Sequence, residues 1–431
     1  MFLKSIHIKN YNQFENLELD LTYPKGHAKA GEPLEKICII GDNGTGKTTI
    51  LEILNYVYEN TLRNSINQQE IVLEVEGNPD AKIICRIENL DDSTPLEDFK
   101  LIYFPVGPNL STISSQSAPK NNRNFFINPF EKRTVYARSN STEISNRSDS
   151  IFNLSDRETF KTWNLLKENI KNSINKELAY RRGLLKGMSD QNEAEIDEVY
   201  KKFKAYKKDN PNGYDDFAKF LNPLLKKFHL KLNTRINLDK FNEVEFLSLL
   251  AKDGTVVPIE LWSTGVKHLI YTMLPLYAIR PTTGVVLFDE PENCLYPSTQ
   301  RLQLNLYKSL CPDMQLIFAT HSPVLASSFE SWEVVELRFN ENGKVERKPY
   351  YKGENHVDNY HIHPMYLTWN SLFMDMFGVN GESNDARTKK LVELAILDRE
   401  VKLTDDKAKK KELFKKYEKI AEQLDWGSIP L

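Results

Sequence analysis

The sequence has few cysteines and lacks long apolar runs, and both shortages narrow the class of protein. Its 431 residues include four cysteines, which show neither the paired spacing of metal ligands nor a disulfide framework. This usage predicts a reduced, cytoplasmic compartment. No stretch approaches the roughly 18 consecutive apolar residues of a membrane helix, so no membrane partner is expected. The first residues, MFLKSIHIKN, alternate apolar and polar side chains like a strand and unlike a signal peptide.

The chain also lacks an internal repeat and a strong excess of one charge. It has 57 lysines and arginines against 60 acidic residues, a net charge of −3. A DNA contact would therefore need a local basic patch, since the net charge gives no general attraction to nucleic acid. The composition, with 40% apolar residues, is that of a soluble globular protein long enough for two or three packed units.

A glycine-rich loop, Gly41–Thr48, is the strongest functional signal. The apolar run Lys36–Ile40 predicts a buried parallel strand before it, and Thr49–Leu54 begins an amphipathic helix after it. The loop matches G-x-x-x-x-G-K-[ST], in which backbone N–H groups surround phosphate oxygens, the lysine reaches the β- and γ-phosphates and the hydroxyl holds Mg²⁺. The predicted ATP-binding residues of this region are Gly41, Asn43, Gly44, Thr45, Gly46, Lys47, Thr48 and Thr49. A chance match is the alternative, and the strand and helix context argues against it.

A second signal is the apolar run Val285–Phe288, which ends in Asp289 and Glu290. Two carboxylates directly after a buried strand are costly unless a cation or water faces them. Asp289 is predicted to hold Mg²⁺ together with Thr48, and Glu290 to polarise the attacking water as a general base. The alternative is a solvated strand end.

Two weaker signals flank this strand. Ser263, Thr264 and Gly265 precede an apolar helix, whose start can bind phosphate through N–H groups and the serine side chain. His321 follows the apolar run Leu316–Ala319, and its imidazole is predicted to hydrogen-bond the γ-phosphate and the attacking water. Alone, the first signal more often marks a helix cap, and a lone histidine is more often structural.

Taken in order, these motifs resemble the head domain of ABC-type ATPases, most of all its SMC, RecF and OLD branch. The matching segments are Walker A at Gly41–Thr48, the signature at Ser263–Lys267, Walker B at Val285–Glu290, the D-loop at Glu292–Pro297 and the switch histidine at His321. The resemblance implies an α/β fold, with a mixed sheet around a phosphate-loop core. The long spacing from Lys47 to Asp289 and the presence of a signature set the AAA+ motor class aside.

The resemblance also implies a homodimer, or a higher homo-oligomer, that pairs through its ATPase heads. Ser263 and Gly265 of one head would complete the ATP site of the other. Three signature positions depart from the family's Leu, Gly and Gln: Trp262, Thr264 and Val266. Tyr296 stands where many relatives carry a histidine, and Gln116, in a polar loop, is the candidate for the Q-loop glutamine.

The chain is predicted to have four parts. Residues 1–154 form an ATPase lobe with Walker A, and residues 241–345 a lobe with the signature, Walker B and the switch histidine. Residues 155–240 form a helical lid or short arm, whose lysines around Lys201–Lys208 either touch DNA or form a solvated face. Residues 346–431 form a mostly helical region, in which Lys407–Leu424 carries an apolar stripe that needs a partner surface.

The output of the ATPase has three alternative interpretations. The end of the chain loosely resembles standalone defence ATPases of the Septu and PARIS type. This favours the ATPase of an antiphage or restriction-associated system with a separate effector, such as a nuclease encoded elsewhere. A RecF-like DNA-repair ATPase and a scaffold assembled by ATP without turnover are the alternatives. No Asp-x-Asp pair follows His321, which argues against an intrinsic Toprim nuclease, and His356, His361 and His363 are interpreted as surface or interface histidines.

Overall fold

A computed structural model of the protein describes most of residues 1–366 and the C-terminal helices. The described residues are 2–63, 70–75, 78–88, 99–105, 151–153, 175–176, 178–190, 193–209, 214–233, 248–258, 261–279, 281–348, 351–352, 357–358, 364–377, 385–404 and 406–424. Gln116 and the three histidines at 356, 361 and 363 lie outside these residues. The chain forms two compact units, Met1–Tyr366 and Leu367–Leu431. The predicted four-part division stays a prediction.

The strands, in chain order, are β1 Phe2–Tyr11, β2 Phe14–Asp20, β3 Lys36–Gly41, β4 Glu70–Val75, β5 Asn78–Glu88, β6 Lys100–Phe104, β7 Ile151–Asn153, β8 Leu230–Leu232, β9 Leu249–Ala251, β10 Val256–Val257, β11 Gly284–Asp289, β12 Met314–Ala319, β13 Val334–Phe339, β14 Val345–Arg347, β15 Tyr351–Lys352 and β16 Val357–Asp358. The helices are α1 Lys47–Arg63, α2 Glu193–Asp209, α3 Tyr214–Leu225, α4 Thr264–Ile279, α5 Pro297–Leu310, α6 Pro323–Ala326, α7 Trp369–Ser371, α8 Asp385–Leu403 and α9 Lys407–Leu424. Short 3-10 turns lie at Lys226–Phe228, Ser331–Glu333 and Pro364–Tyr366, and a π-helical turn at Leu372–Met376.

A seven-stranded mixed sheet carries the phosphate loop. Its order is β14-β13-β3-β12-β11-β6-β7, and every neighbouring pair is parallel except β13 with β14. β3, β11 and β12 are buried along nearly their whole length, which is why each appears in the sequence as a continuous apolar run. Because these strands are parallel, their carboxyl ends meet at one edge. The predicted α/β fold with a mixed sheet and a phosphate-loop core is confirmed.

A four-stranded antiparallel sheet, of order β2-β1-β5-β4, covers the other side of the core. The strand predicted from the alternation in the first residues is confirmed as β1, and it pairs with β2 through Ile6 with Leu19 and Ile8 with Leu17. β4 and β5 pair antiparallel, and β5 begins at Asn78. Asn78 pairs with Val75 beside an irregularity in the register.

One hydrophobic core joins the two sheets through α1. It contains alternate residues of β1 and β2, the apolar face of α1 and the inner faces of β3, β11 and β12. Gln315 of β12 is fully buried and links this core to the N-terminus. Its side chain accepts from the Leu3 N–H at 2.7 Å and donates to the carbonyls of Leu3 and Leu34. A buried amide is tolerated here because its polar atoms are paired with backbone.

Within the segment predicted as a helical lid or short arm, residues 178–189, α2 and α3 are helical. Residue 190 lies in a turn. β8, β9 and β10 form a small antiparallel sheet, with Asp253 and Gly254 in the turn between β9 and β10. In the described part of the chain, no helix combines the length and the apolar character needed to cross a bilayer.

The second unit is built on a helical hairpin. α9 has the predicted bounds and buries Leu413, Tyr417, Ile420, Ala421 and Leu424. These residues pack with Leu394 and Leu397 of α8 in one apolar cluster. The partner surface that the apolar stripe required is therefore α8.

Candidate nucleotide-binding site

The phosphate loop joins β3 to α1, as predicted. Gly46 has φ +87°, a conformation that L side chains rarely adopt, and a Cβ added there would lie 2.4 Å from the Phe14 ring. The loop is closed on itself, since the Thr45 hydroxyl donates to the Asp42 carbonyl at 2.8 Å. The side chain of Gln13, in the turn between β1 and β2, donates to the Gly44 carbonyl at 3.4 Å. Asn43, Gly44 and Thr48 are exposed, so this face of the loop is open to a ligand.

Lys47 lies in the mouth of the loop. Its Nζ donates to the carbonyl oxygens of Gly41 at 2.9 Å and Asp42 at 3.0 Å. Burial lowers the pKa of Lys47, while the nearby carboxylates of Glu290 and Asp289 act in the opposite direction. The ammonium group therefore lies between the loop and the acids at the end of β11. An anionic ligand bound there would accept a charge-assisted hydrogen bond from it.

Asp289 ends β11 and is buried. The pKa of Asp289 is raised to about 7, mainly by burial. A hydrogen bond from the Thr48 side chain opposes this shift, and neighbouring carboxylates add to it. Its Oδ2 has no hydrogen-bond partner among the described residues. A buried carboxylate oxygen without a partner, next to a threonine hydroxyl, is a hard oxygen donor set that suits Mg²⁺. The residues present therefore fit the predicted metal.

Glu290 and His321 form the polar pair at this edge. β11 and β12 are neighbouring parallel strands, with Asp289 opposite Ala319. Glu290, one residue after β11, and His321, two residues after β12, therefore come close. His321 Nε2 lies 3.4 Å from Glu290 Oε1, and both side chains are partly exposed. Burial and the Lys47 charge lower the pKa of His321, and Glu290 opposes this. Glu290 has φ +47°, an uncommon conformation for a residue with a side chain, which argues that the site requires it.

The predicted signature lies at the start of α4. Ser263 is exposed, and its Oγ accepts from the Val266 N–H at 3.4 Å, as a helix cap does. Gly265 is buried, and a Cβ added there would lie 2.5 Å from the Cys294 carbonyl. The signature turn thus packs against the predicted D-loop of the same chain. Trp262, one of the departures from the family pattern, is buried and its indole donates to the Val257 carbonyl.

The structure adds a buried polar network that motif reading missed. The Pro291 carbonyl accepts from His268 Nε2 at 2.8 Å and from Gln303 Nε2 at 2.5 Å. Glu292 accepts from Thr320 and from the His321 backbone. Only Glu292 had a signal in the sequence, since it begins the predicted D-loop segment Glu292–Pro297. His268 and Gln303 lie on helices whose apolar pattern hides them.

Lys47, Asp289, Glu290 and His321 are thus brought together within one chain. Two of these residues shift the pKa of another: Lys47 lowers the pKa of His321, and Glu290 raises the pKa of Asp289. Ser263 and Gly265 lie on a separate element, the start of α4. Their roles, like those of the other predicted site residues, stay predictions.

Comparison with known proteins gives a family for this arrangement. The chain is similar over 398 residues, at 23% identity, to the Retron Vc95 probable ATPase of Vibrio cholerae serotype O1 biovar El Tor, covering 77% of this chain and 72% of that protein. Among solved structures, it is similar to the Smc head domain of Pyrococcus furiosus with an extended coiled coil bound to the C-terminal domain of ScpA, at 13% identity and a TM-score of 0.37, over 80% of this chain and 95% of the other. The SMC head domain from Thermotoga maritima gives 13% identity and a TM-score of 0.35, over 82% and 100%.

Both TM-scores lie below 0.5, so the similarity to these two structures does not indicate a function. The family match is broader, because residues 1–326 match the AAA ATPase domain model (AAA_15). That range contains the phosphate loop, the acidic pair and the histidine. The prediction of an ATP-binding ATPase is confirmed at this level, and the chain belongs to the AAA ATPase domain family.

Proposed function

We propose that the chain is a Mg²⁺-dependent ATPase whose heads pair on ATP, and that it acts as the sensor or regulatory ATPase of a prokaryotic defence system. The convergence of Lys47, Asp289, Glu290 and His321 at one sheet edge carries the ATPase part. It supplies a phosphate-binding cation, a metal-binding carboxylate and a base with a polar neighbour. These are the groups that phosphoryl transfer to water requires.

Nucleotide binding is assigned to the phosphate loop. Its residues are Gly41, Asn43, Gly44, Thr45, Gly46, Lys47, Thr48 and Thr49. On binding, the Lys47 ammonium would exchange its two backbone carbonyl partners for phosphate oxygens, and loop N–H groups would donate to the others. Thr48 and Asp289 would hold Mg²⁺, which when bound neutralises charge on the phosphates.

Hydrolysis is assigned to Glu290 and His321. Glu290 would accept a proton from the attacking water, whose oxygen bonds to the γ-phosphorus as the bond to the β–γ bridging oxygen breaks. His321, 3.4 Å from Glu290, would orient that water and the γ-phosphate. The lowered pKa of His321 keeps its imidazole largely neutral at pH 7, so that it can accept as well as donate a hydrogen bond.

Pairing of the heads is assigned to the signature. Ser263 is exposed at the start of α4, so its hydroxyl is accessible to the nucleotide of a second copy. Gly265 would present its N–H to the same phosphate, as the resemblance to ABC-type heads implies. The similarity to a retron protein supports the defence role, in which a separate effector, such as a nuclease, responds to the state of the paired heads.

The test is ATP turnover and oligomeric state of Glu290→Gln against wild type, with the exposed Glu341→Gln as a matched control. Loss of the base should lower turnover about 10²–10⁴-fold while ATP binding is retained. The variant should then accumulate as an ATP-dependent dimer in light scattering, and the control should match wild type. Turnover that survives in Glu290→Gln would reject the base assignment. A monomer at saturating ATP and Mg²⁺ would reject head pairing.

A DNA-repair role is the second candidate, because Lys201, Lys202, Lys204 and Lys208 are exposed on α2. Lys202 is paired with Glu198, which weakens the patch. DNA-stimulated turnover that falls steeply with salt would favour this role, since counterion release governs such binding. An inactive wild type that still dimerises on ATP would favour a scaffold.

A further inference from the structure

Glu292 is a buried acid that the proposed chemistry does not use. It lies two residues after Glu290, with its side chain largely removed from solvent. Its Oε1 accepts two hydrogen bonds, from the Thr320 hydroxyl at 2.5 Å and from the His321 N–H at 3.0 Å. Its Oε2 has no hydrogen-bond partner among the described residues. Burying a carboxyl group with only half of its hydrogen bonds is costly, so the two bonds that it makes call for a reason.

These two bonds cross between the elements that carry the candidate catalytic pair. Glu292 belongs to the turn after β11, whereas Thr320 and His321 follow β12. The turn after β12 is tied down on its other side too, since the Thr320 N–H donates to the Ile39 carbonyl of β3 at 3.0 Å. The Glu292 carboxyl group therefore sets where the backbone of His321 stands relative to Glu290.

The turn that contains Glu292 is itself fixed by hydrogen bonds from residues of α4 and α5. The Pro291 carbonyl, just before Glu292, accepts from His268 and Gln303. Gln300 donates to the Leu295 carbonyl at 2.8 Å and accepts from the Ser322 hydroxyl at 2.6 Å, a second link between the two turns. A rigid support of this kind lets one side chain determine the position of another.

We propose that Glu292 is a positioning residue, which fixes His321 at hydrogen-bonding range of Glu290 by accepting from the Thr320 hydroxyl and the His321 N–H. This inference rests on the proposed function, because it gives His321 a role in turnover. Glu292 need not touch nucleotide or water. Its contribution is geometric, and the acceptor oxygen is what it requires, so a glutamine retains the function and an apolar side chain of similar size does not.

The test compares Glu292→Met with Glu292→Gln in the full-length protein. Methionine removes the acceptor and keeps the volume, whereas glutamine keeps one acceptor oxygen. Glu292→Met should lower kcat about 10–100-fold, the size of effect expected when a catalytic group is misplaced by about 1 Å. ATP affinity should stay within about threefold in both, and Glu292→Gln should keep kcat within about threefold, since its hydrogen bonds are preserved. An equal loss of kcat in the two variants would overturn the inference.

A double-mutant cycle separates positioning from mere stability. If Glu292 acts through His321, Glu292→Met should have no further effect on turnover in a His321→Ala background. The same loss with and without His321 would overturn the inference and leave the proposed function intact. An unchanged turnover in His321→Ala alone would reject the role of His321, and with it this inference. Those two failures are therefore distinguishable.

Two further variants keep the test valid if Glu292→Met folds poorly. Thr320→Val removes one of the two donors from the opposite side and should lower kcat in the same direction, without adding to Glu292→Met. Glu333→Met is the matched control, because Glu333 is another buried glutamate that accepts from a backbone N–H, that of Glu330, outside this site. It should lower thermal stability and leave kcat unchanged at a temperature where it is folded. A Thr320→Val variant with wild-type kcat would overturn the inference.

Discussion

The buried carboxyl group of Asp289 should make the ATPase unit less stable as the pH rises, and Asp289→Asn should remove that loss. Burial raises the pKa of Asp289 to about 7 in the folded chain, against about 3.9 in an unfolded one. Between these two values the folded state binds more protons than the unfolded state, so the free energy of unfolding falls with increasing pH. The loss is absent below the unfolded value and complete above the folded one.

The magnitude follows from the two pKa values. A difference of about 3 pKa units lowers the free energy of unfolding at pH 8 by about 4 kcal/mol relative to its value at low pH. At pH 5 the free energy of unfolding has fallen by only about 1.5 kcal/mol. Asparagine keeps an oxygen for the Thr48 hydroxyl and carries no charge. The gain in stability from Asp289→Asn should therefore be larger at pH 8 than at pH 5 by about 2–3 kcal/mol, the order of magnitude that these values support.

The assay is urea unfolding at pH 5 and pH 8, with a chelator present and no nucleotide, so that neither a metal nor ATP alters the charge balance. Asp313→Asn, at an exposed aspartate, is the matched control and should show no pH-dependent difference from wild type. A stability difference for Asp289→Asn that is equal at the two pH values would refute the reasoning, as would a variant less stable than wild type at pH 8. Asp289→Asn should also lose ATP turnover, because a carboxylate that lowers the stability of the fold is expected to be required for activity.

Three further outcomes are expected. Lys47→Ala removes the ammonium donor of the loop and should weaken ATP binding about 10–100-fold by calorimetry, the value of a charged hydrogen bond; unchanged affinity would contradict the site. Gly265→Ala puts a Cβ 2.5 Å from the Cys294 carbonyl and should lower stability by about 1–3 kcal/mol in thermal unfolding and reduce turnover, whereas a neutral result would show that the turn moves freely. Ile420→Ala opens the α8–α9 cluster and should cost that unit about 2–5 kcal/mol, seen as faster proteolysis of the C-terminal helices; an unchanged rate would mean that this packing contributes little.

Local features of the site were predictable because local patterns encode them. The loop Gly41–Thr48 was placed between a strand and a helix from an apolar run, a glycine-rich turn and a helical period. β11 and β12 were predicted as buried strands from runs of apolar residues, and the bounds of α9 from its apolar stripe. Composition alone is misleading at Asn78, Pro79 and Asp80, which are residue types typical of turns but lie in β5.

Contacts between distant segments were not predictable in this way. No sequence pattern around Gln315 predicts its hydrogen bonds to the backbone of Leu3. The helical pattern of α4 likewise does not predict the hydrogen bond from His268 to the Pro291 carbonyl. Glu292 was assigned to the D-loop motif, but its hydrogen bonds to the turn after β12 depend on two strands lying side by side. Sequence spacing contains no information on that distance.

The sequence by itself determined the chemistry that the chain carries: a phosphate loop, two acids after a buried strand and a histidine after the next one. Glycine, lysine and carboxylate side chains at these spacings have few other uses, so the residue types suffice. The tertiary structure decided how these groups act on one another. Parallel pairing of β3, β12 and β11 places their carboxyl ends at one edge, and burial there raises the pKa of Asp289 and brings His321 within 3.4 Å of Glu290. Distance and burial are properties of the packed chain, which is why they emerge only after folding.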